Sequence, residues 1–181
     1  MPSRIKGTAV KAYLEWLLTK VSSNQVAAIL ERLAPSTRAL ALEKVLPSQL
    51  YSYQLYADLL EASKAVLADD YERLAWEHGR CAADALLADV YQLTLKAGDV
   101  EQTLRSLAIG WRLYFDTGSI QIMEQKPGHY VYVIIDARYH PLHPPISAGY
   151  VQRACEIAGA SNVDVAIDGS PPHVRMIITW F

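Results

Sequence analysis

The sequence predicts an α+β fold: an N-terminal helical half of about six helices packed on a four-stranded antiparallel sheet made of two hairpins joined by a helix. Three observations carry this. Apolar residues recur at three- and four-residue spacing up to about residue 115, alternation takes over after "FDTGS", and two pairs of runs rich in β-branched and aromatic residues flank the turn segments "KPG" and "GSPP". With 181 residues, 51% of them hydrophobic, the chain can bury one core of ordinary size. A single domain over 1–181 is expected, with 1–115 the helical half and 116–181 the sheet half.

The first helix carries Val10, Tyr13, Leu14, Leu17, Leu18 and Val21 as one buried stripe, and the serines of "VSSNQ" cap a second helix with Val26, Ile29, Leu30 and Leu33. Pro35 starts a short third helix that stops before Pro47, and Ser52 caps a fourth bearing Leu55, Tyr56, Leu59, Leu60 and Leu67. A fifth and longest helix is predicted over roughly Asp70 to Lys96, closed by Gly98. Asp99 with Gln102 then opens a sixth that ends near Phe115. Asp116-Thr117-Gly118 turns the chain into the first hairpin. A seventh helix, Ile146 to Gly159, links the two hairpins, and in the second hairpin Val163, Val165 and Ile167 are expected to face the core, opposite Asp164, Ala166 and Asp168.

Composition removes several classes of function. A net charge of −2 with both signs dispersed leaves no basic stripe, so no nucleic-acid partner is expected. Lys11 and Glu15 interrupt the first apolar run and no run of eighteen follows, which predicts no membrane insertion and a cytoplasmic location. Cys81 and Cys155 fall in helical patterns far apart, as suits reduced, buried thiols.

The segments "GTAVKAYLEWL", "LPSQLYSYQLYADLLEA", "WEHGRCAADALLADVYQLTLKAG", "YFDTGSI", "HPPISAGYVQRACEIAGASNVDV" and "IITW", in this order and spacing, are similar to a large paralogous family of myxobacterial proteins. That family resembles a wider superfamily of ligand-binding domains that includes heme-nitric-oxide-binding proteins, four-vinyl reductase domains and the TRAPP vesicle-tethering subunits. The resemblance implies helices on a small antiparallel sheet, and a domain that holds heme, a small apolar ligand, an acyl chain or a partner chain.

His78 lies on the inward stripe of the long helix, one turn from Leu74, Ala75 and Ala82. In heme-nitric-oxide-binding relatives a histidine on a helix of this half ligates iron. The Tyr-x-Ser-x-Arg signature with which those relatives clamp the heme propionates is absent from this chain, so no cofactor is expected and His78 reads first as a satisfied core group. Pro141, Pro144 and Pro145 forbid a helix through His140 and His143, so "YHPLHPPI" reads as an ordered helix entry rather than a helical ligand pair. Where four-vinyl reductase relatives often carry a paired cysteine, this chain has His173 in "GSPPHVRM". A zinc site from His140, His143 and His173 is therefore the remote alternative.

No G-x-S-x-G elbow, P-loop, G-x-G-x-x-G or H-E-x-x-H occurs, neither cysteine stands beside a histidine in a loop, and Glu77, Asp84 and Asp89 read as solvated helix faces. No catalytic residue is assigned. Tyr91, Trp111, Tyr114, Phe115, Tyr130 and Tyr132 gather where the helical half meets the first hairpin, which in the superfamily borders the ligand cavity. His78, Tyr91, Trp111, Tyr114 and Tyr132 are the expected ligand-binding residues, with His78 and the tyrosine hydroxyls as polar tips. The expected function is a non-catalytic sensory domain for a small apolar molecule. The alternative is a dimeric protein-interaction module with a solid core, displaying Tyr13 and Trp16 of the first helix to a partner; a heme or zinc protein is the third.

Overall fold

The computed structural model describes residues 3–88, 95–135 and 139–181. Six helices precede the sheet: α1 (Gly7–Lys20), α2 (Ser23–Arg32), α3 (Pro35–Leu42), α4 (Tyr53–Leu67), α5 (Tyr71–Ala88) and α6 (Val100–Tyr114). A seventh, α7 (Pro144–Ile157), joins the two hairpins. The predicted caps form. Ser22 accepts from the Gln25 amide, Ser52 from Gln54 and Asp99 from Gln102 at 2.8 Å, each satisfying a backbone donor that the first helical turn leaves open.

Two three-residue strands, β1 (Arg4–Lys6) and β2 (Leu50–Ser52), pair antiparallel ahead of the main sheet, and a bridge from Ile5 to Phe115 brings the end of α6 to the same point. The Arg4 side chain closes this junction on Asp116 at 2.8 Å. The main sheet holds β3 (Ser119–Lys126), β4 (His129–Ile135), β5 (Asp164–Ser170) and β6 (His173–Thr179) in the order β3-β4-β6-β5, all antiparallel. Gly128, at φ 73°, makes the first hairpin turn in the left-handed region that glycine adopts without strain. Across the central pair, Tyr130 faces Ile178, Tyr132 faces Met176 and Ile134 faces Val174; all six are buried beneath the helices.

Three expectations are corrected. Leu18 leaves the buried stripe and is 70% exposed, while Trp16 replaces it inside. Tyr13 and Trp16 do not form a surface: both are buried, their rings lying 4.9 and 5.3 Å from the His78 ring. Val163, just before β5, is buried, but on β5 itself Val165 is half-buried and Ile167 is 39% exposed, because β5 is an outer strand of the sheet. The predicted extension of α5 beyond Ala88 falls on 89–94, outside the described residues, and Lys96 is not helical. No helix among the described residues is long and apolar enough to cross a membrane.

The tightest contact is the crossing of α5 and α7. A Cβ on Gly79 would lie 2.0 Å from the Ile146 carbonyl oxygen and 2.8 Å from the Tyr150 amide nitrogen, and one on Gly149 would lie 2.0 Å from the Trp76 carbonyl oxygen. Only glycine permits this approach. Beside it Arg80 holds Glu156 through two hydrogen bonds of 2.7 and 2.8 Å, and Arg153 joins Asp84 and Glu156 at 2.7 and 3.0 Å. Gly110 on α6 is the contrast: its Cβ would meet only a Leu113 methyl, at 4.0 Å. Gly79→Ala and Gly149→Ala should each destabilise by about 1–3 kcal/mol or more through forced separation of the helices. Gly110→Ala should stabilise by roughly 0.5–1 kcal/mol through helix propensity. Urea unfolding midpoints distinguish the two signs.

Candidate functional site

Between the helices and the inner face of the sheet lies a cavity of about 110 Å³. Its floor is Ile120, Tyr132, Ile134 and Met176 of the sheet. Its walls come from α5 (His78, Ala82, Leu86), from α6 (Leu107, Gly110, Trp111) and from α7 (Ile146, Ser147, Tyr150). Small residues make the space: Ala9 and Ala12 of α1, Ala82 and Gly110 all face it. Leu86, Leu107, Tyr114 and Leu113, the last 48% exposed, mark where it approaches solvent.

Several polar tips around it are occupied. The Tyr132 hydroxyl donates to the Leu104 carbonyl, the Trp111 indole N–H to the Thr117 carbonyl at 3.0 Å, and the Tyr114 and Tyr150 hydroxyls bond each other at 3.1 Å. Of the tyrosine hydroxyls expected from the sequence as polar tips, those of Tyr114 and Tyr132 are therefore engaged by the fold, and their rings form the wall.

Two histidines also line it. His78 is 2% exposed, lines the cavity, and its Nδ1 is buried without a hydrogen-bond partner. Its expected role as a satisfied core group is corrected: position on an apolar stripe gives burial, but the neighbours it meets, Tyr13 and Trp16, present ring faces and edges rather than acceptors or donors. His143, read from sequence as part of a helix entry, is that and more. It caps α7, is 5% exposed, and its ring lines the same cavity among Tyr53, Tyr56, Phe115 and Tyr139. The Tyr53 hydroxyl accepts from the His140 amide at 2.9 Å and lies 3.1 Å from His143 Nδ1. Its own proton is satisfied by donation to Nδ1, which puts the remaining hydrogen of the neutral His143 ring on Nε2. The loop is pinned further by Tyr71, whose hydroxyl donates to the Leu142 carbonyl at 3.1 Å.

Burial depresses both imidazoles. Desolvation, with each ring's neighbouring histidine adding to it, takes His78 and His143 down to about 3. Both are neutral at physiological pH. Burial also pushes the Cys155 thiol up to about 12, with Glu156 adding to it, and Cys81 and Cys155 are both free.

The remaining predicted residues separate. Trp111, Tyr114 and Tyr132 line the cavity; Tyr91 lies outside the described residues. His140 pairs with Glu61 at 2.8 Å, and His173 is exposed at the start of β6. Among the described residues no group of three His, Cys, Asp or Glu side chains is placed to hold a metal, so the His140, His143, His173 set is not assembled. Glu77 and Asp84 pair with Arg73 and Arg153, each at 2.7 Å.

No family model and no curated protein matches the chain. Solved structures do. The Fe(II) unliganded H-NOX protein from K. algicida superposes with a TM-score of 0.78 at 13% identity, over 98% of this chain and 97% of that one. An H-NOX protein from S. oneidensis in the Fe(II)NO ligation state gives 0.74 at 12% identity, over 98% and 99%. The chain has the H-NOX fold. The group this fold implies, heme, does not fit the residues present: the cavity is about 110 Å³, far below the ~300–1,000 Å³ of sites for drug-sized ligands. Among the described residues no lysine or arginine lines it to meet propionates, and the rings of Tyr56, Trp111, Phe115 and Tyr132 stand in its walls.

The two neutral histidines impose a pH dependence. The unfolded chain takes up a proton at each near the ordinary value of about 6.5, whereas the folded chain resists until about 3, so stability holds above about pH 7 and falls as pH drops through that window. Each histidine contributes about 1.4 kcal/mol per pH unit. Urea unfolding between about pH 6 and 5 should show a slope approaching two protons, and His78→Leu should remove close to one. An unchanged slope in that variant would overturn the assignment.

Proposed function

We propose that this chain is a non-catalytic sensory domain that binds a small apolar molecule in the cavity between its helices and its sheet. The single observation that carries the reading is an apolar cavity walled by rings in which His78, almost wholly buried, keeps an unpartnered nitrogen. A closed core would leave neither. The size suits one small organic molecule, since an engineered apolar cavity of about 150 Å³ holds benzene.

Output follows from the position of α6. Leu113 both lines the cavity and is 48% exposed, and Ile109, one turn before it, is 79% exposed on the same helix. A ligand that fits better under one placement of α6 shifts the population toward that placement, and so changes the apolar surface offered to a partner. Its leverage equals its differential affinity for the two placements.

Thermal unfolding with benzene or toluene tests the reading. At about one hundred times its Kd, a ligand confined to the folded state stabilises by about 2.7 kcal/mol and raises Tm by roughly 5–10 °C. Gly110→Leu, which places a side chain where the glycine leaves open space, should abolish the shift while the protein stays folded. No shift with any single-ring compound, together with no bound mass in native mass spectrometry of freshly purified protein, would sink the proposal.

A further inference from the structure

Resting on the cavity reading above, we infer that the ligand is a neutral single-ring compound bearing one hydroxyl or similar group, recognised through His78 and His143. Shape comes first. The floor and walls are flat rings and branched aliphatics, Tyr132, Trp111 and Phe115 among them, and the volume admits one ring.

Charge comes next. Among the described residues no Asp, Glu, Lys or Arg lines the cavity, and both lining histidines are neutral, so an ionised ligand would lose its hydration with no opposite charge from these residues to replace it. Carboxylates and ammonium ions are disfavoured.

The polar complement completes the assignment. His78 has no hydrogen bond at either ring nitrogen among the described residues, and as a neutral imidazole it carries one donor and one acceptor. His143, with Nδ1 engaged by Tyr53, presents an Nε2–H donor from a ring on the same wall. A hydroxyl is the smallest group that both donates and accepts. Seated near His78 it satisfies the orphaned imidazole, which a plain hydrocarbon leaves bare. The hydroxyls of Tyr132, Tyr114 and Tyr150 are engaged, whereas His78 keeps an unpartnered nitrogen and is the first recognition element.

The test compares benzene, phenol and benzoate by calorimetric titration at neutral pH, where phenol is un-ionised, in the wild type and in His78→Leu. Phenol should bind roughly three- to tenfold tighter than benzene, as one neutral hydrogen bond implies, and benzoate should not bind detectably. In His78→Leu the preference for phenol over benzene should fall toward unity while benzene binding persists. Should that variant fail to fold, the wild type still decides: phenol, and not benzene, should shift the ring ¹⁵N resonances of His78. Equal binding of phenol and benzene, or binding of benzoate as tight as phenol, overturns this inference and leaves the cavity reading standing. Failure of all three probes to bind overturns the cavity reading itself.

Discussion

The α5–α7 crossing sets the position of nearly everything else. At Gly79 and Gly149 two helix backbones touch, with Ala75, Ala82, Ala83, Ala148 and Ala154 buried around the contact. Small residues contribute little side-chain burial, so the stabilisation comes from close backbone packing and from the half-buried pairing of Arg80, Asp84, Arg153 and Glu156 beside it. The contact also fixes distances. His78 immediately precedes Gly79, and His143 caps the helix that carries Gly149, so the crossing that locks the helices also delivers both imidazoles to one cavity. Since α7 connects β4 to β5, it anchors the sheet by the same contact.

The cavity is what remains when helices held this closely meet a sheet face of large side chains. The Tyr132 hydroxyl on the Leu104 carbonyl ties β4 to α6, and the Trp111 indole on Thr117 ties α6 to the entry of β3. These bonds set how far α6 stands from the sheet, and Gly110 with the alanines of α1 and α5 leaves the gap unfilled. Interiors are normally packed to the density of organic crystals, so a gap lined by small residues and bounded by satisfied rings is a defined volume rather than looseness. The filling side chains, and not the topology, decide the volume of such a gap.

Most of the fold was legible in the sequence because its signals are local. The alternation of "HYVYVIID", the turn at Pro127 and Gly128, and the Ser22, Ser52 and Asp99 caps act within a few residues of where they are read. The β1–β2 pair was not legible: three-residue strands carry no alternation, and their pairing joins Arg4 to Ser52 across three helices and their connections. Likewise Leu18 and Trp16 stand about 160° apart on α1, on opposite flanks of the stripe through Tyr13 and Leu17, and only the location of α5, through His78, decides which of them is buried. At the site, Trp111, Tyr114, Tyr132 and His78 were readable as inward residues. His143 was not, because "HPLHPP" reports only its role in starting α7, whereas its ring acquires its cavity position from Tyr53, ninety residues away in sequence. Which polar tips are taken is equally non-local, since the Leu104 carbonyl accepts from the Tyr132 hydroxyl and the Thr117 carbonyl from the Trp111 indole N–H, each across elements.

The orphaned imidazole is what makes the proposed site selective. A buried polar group without a partner costs roughly 1–3 kcal/mol, and a ligand that satisfies it recovers part of that penalty on top of what its ring gains from the apolar walls. Size alone discriminates weakly, at about 1–3 kcal/mol per methylene, so a cavity of plain hydrocarbon walls would accept any compound small enough. His78 changes the comparison, since the hydrocarbon leaves the penalty in place and the hydroxyl removes it. The same burial that holds both histidines neutral keeps ions out. Selectivity for a neutral, singly polar ring therefore arises from two groups that weaken the empty fold, and the tight α5–α7 crossing is the stabilising element against which that weakness is tolerated.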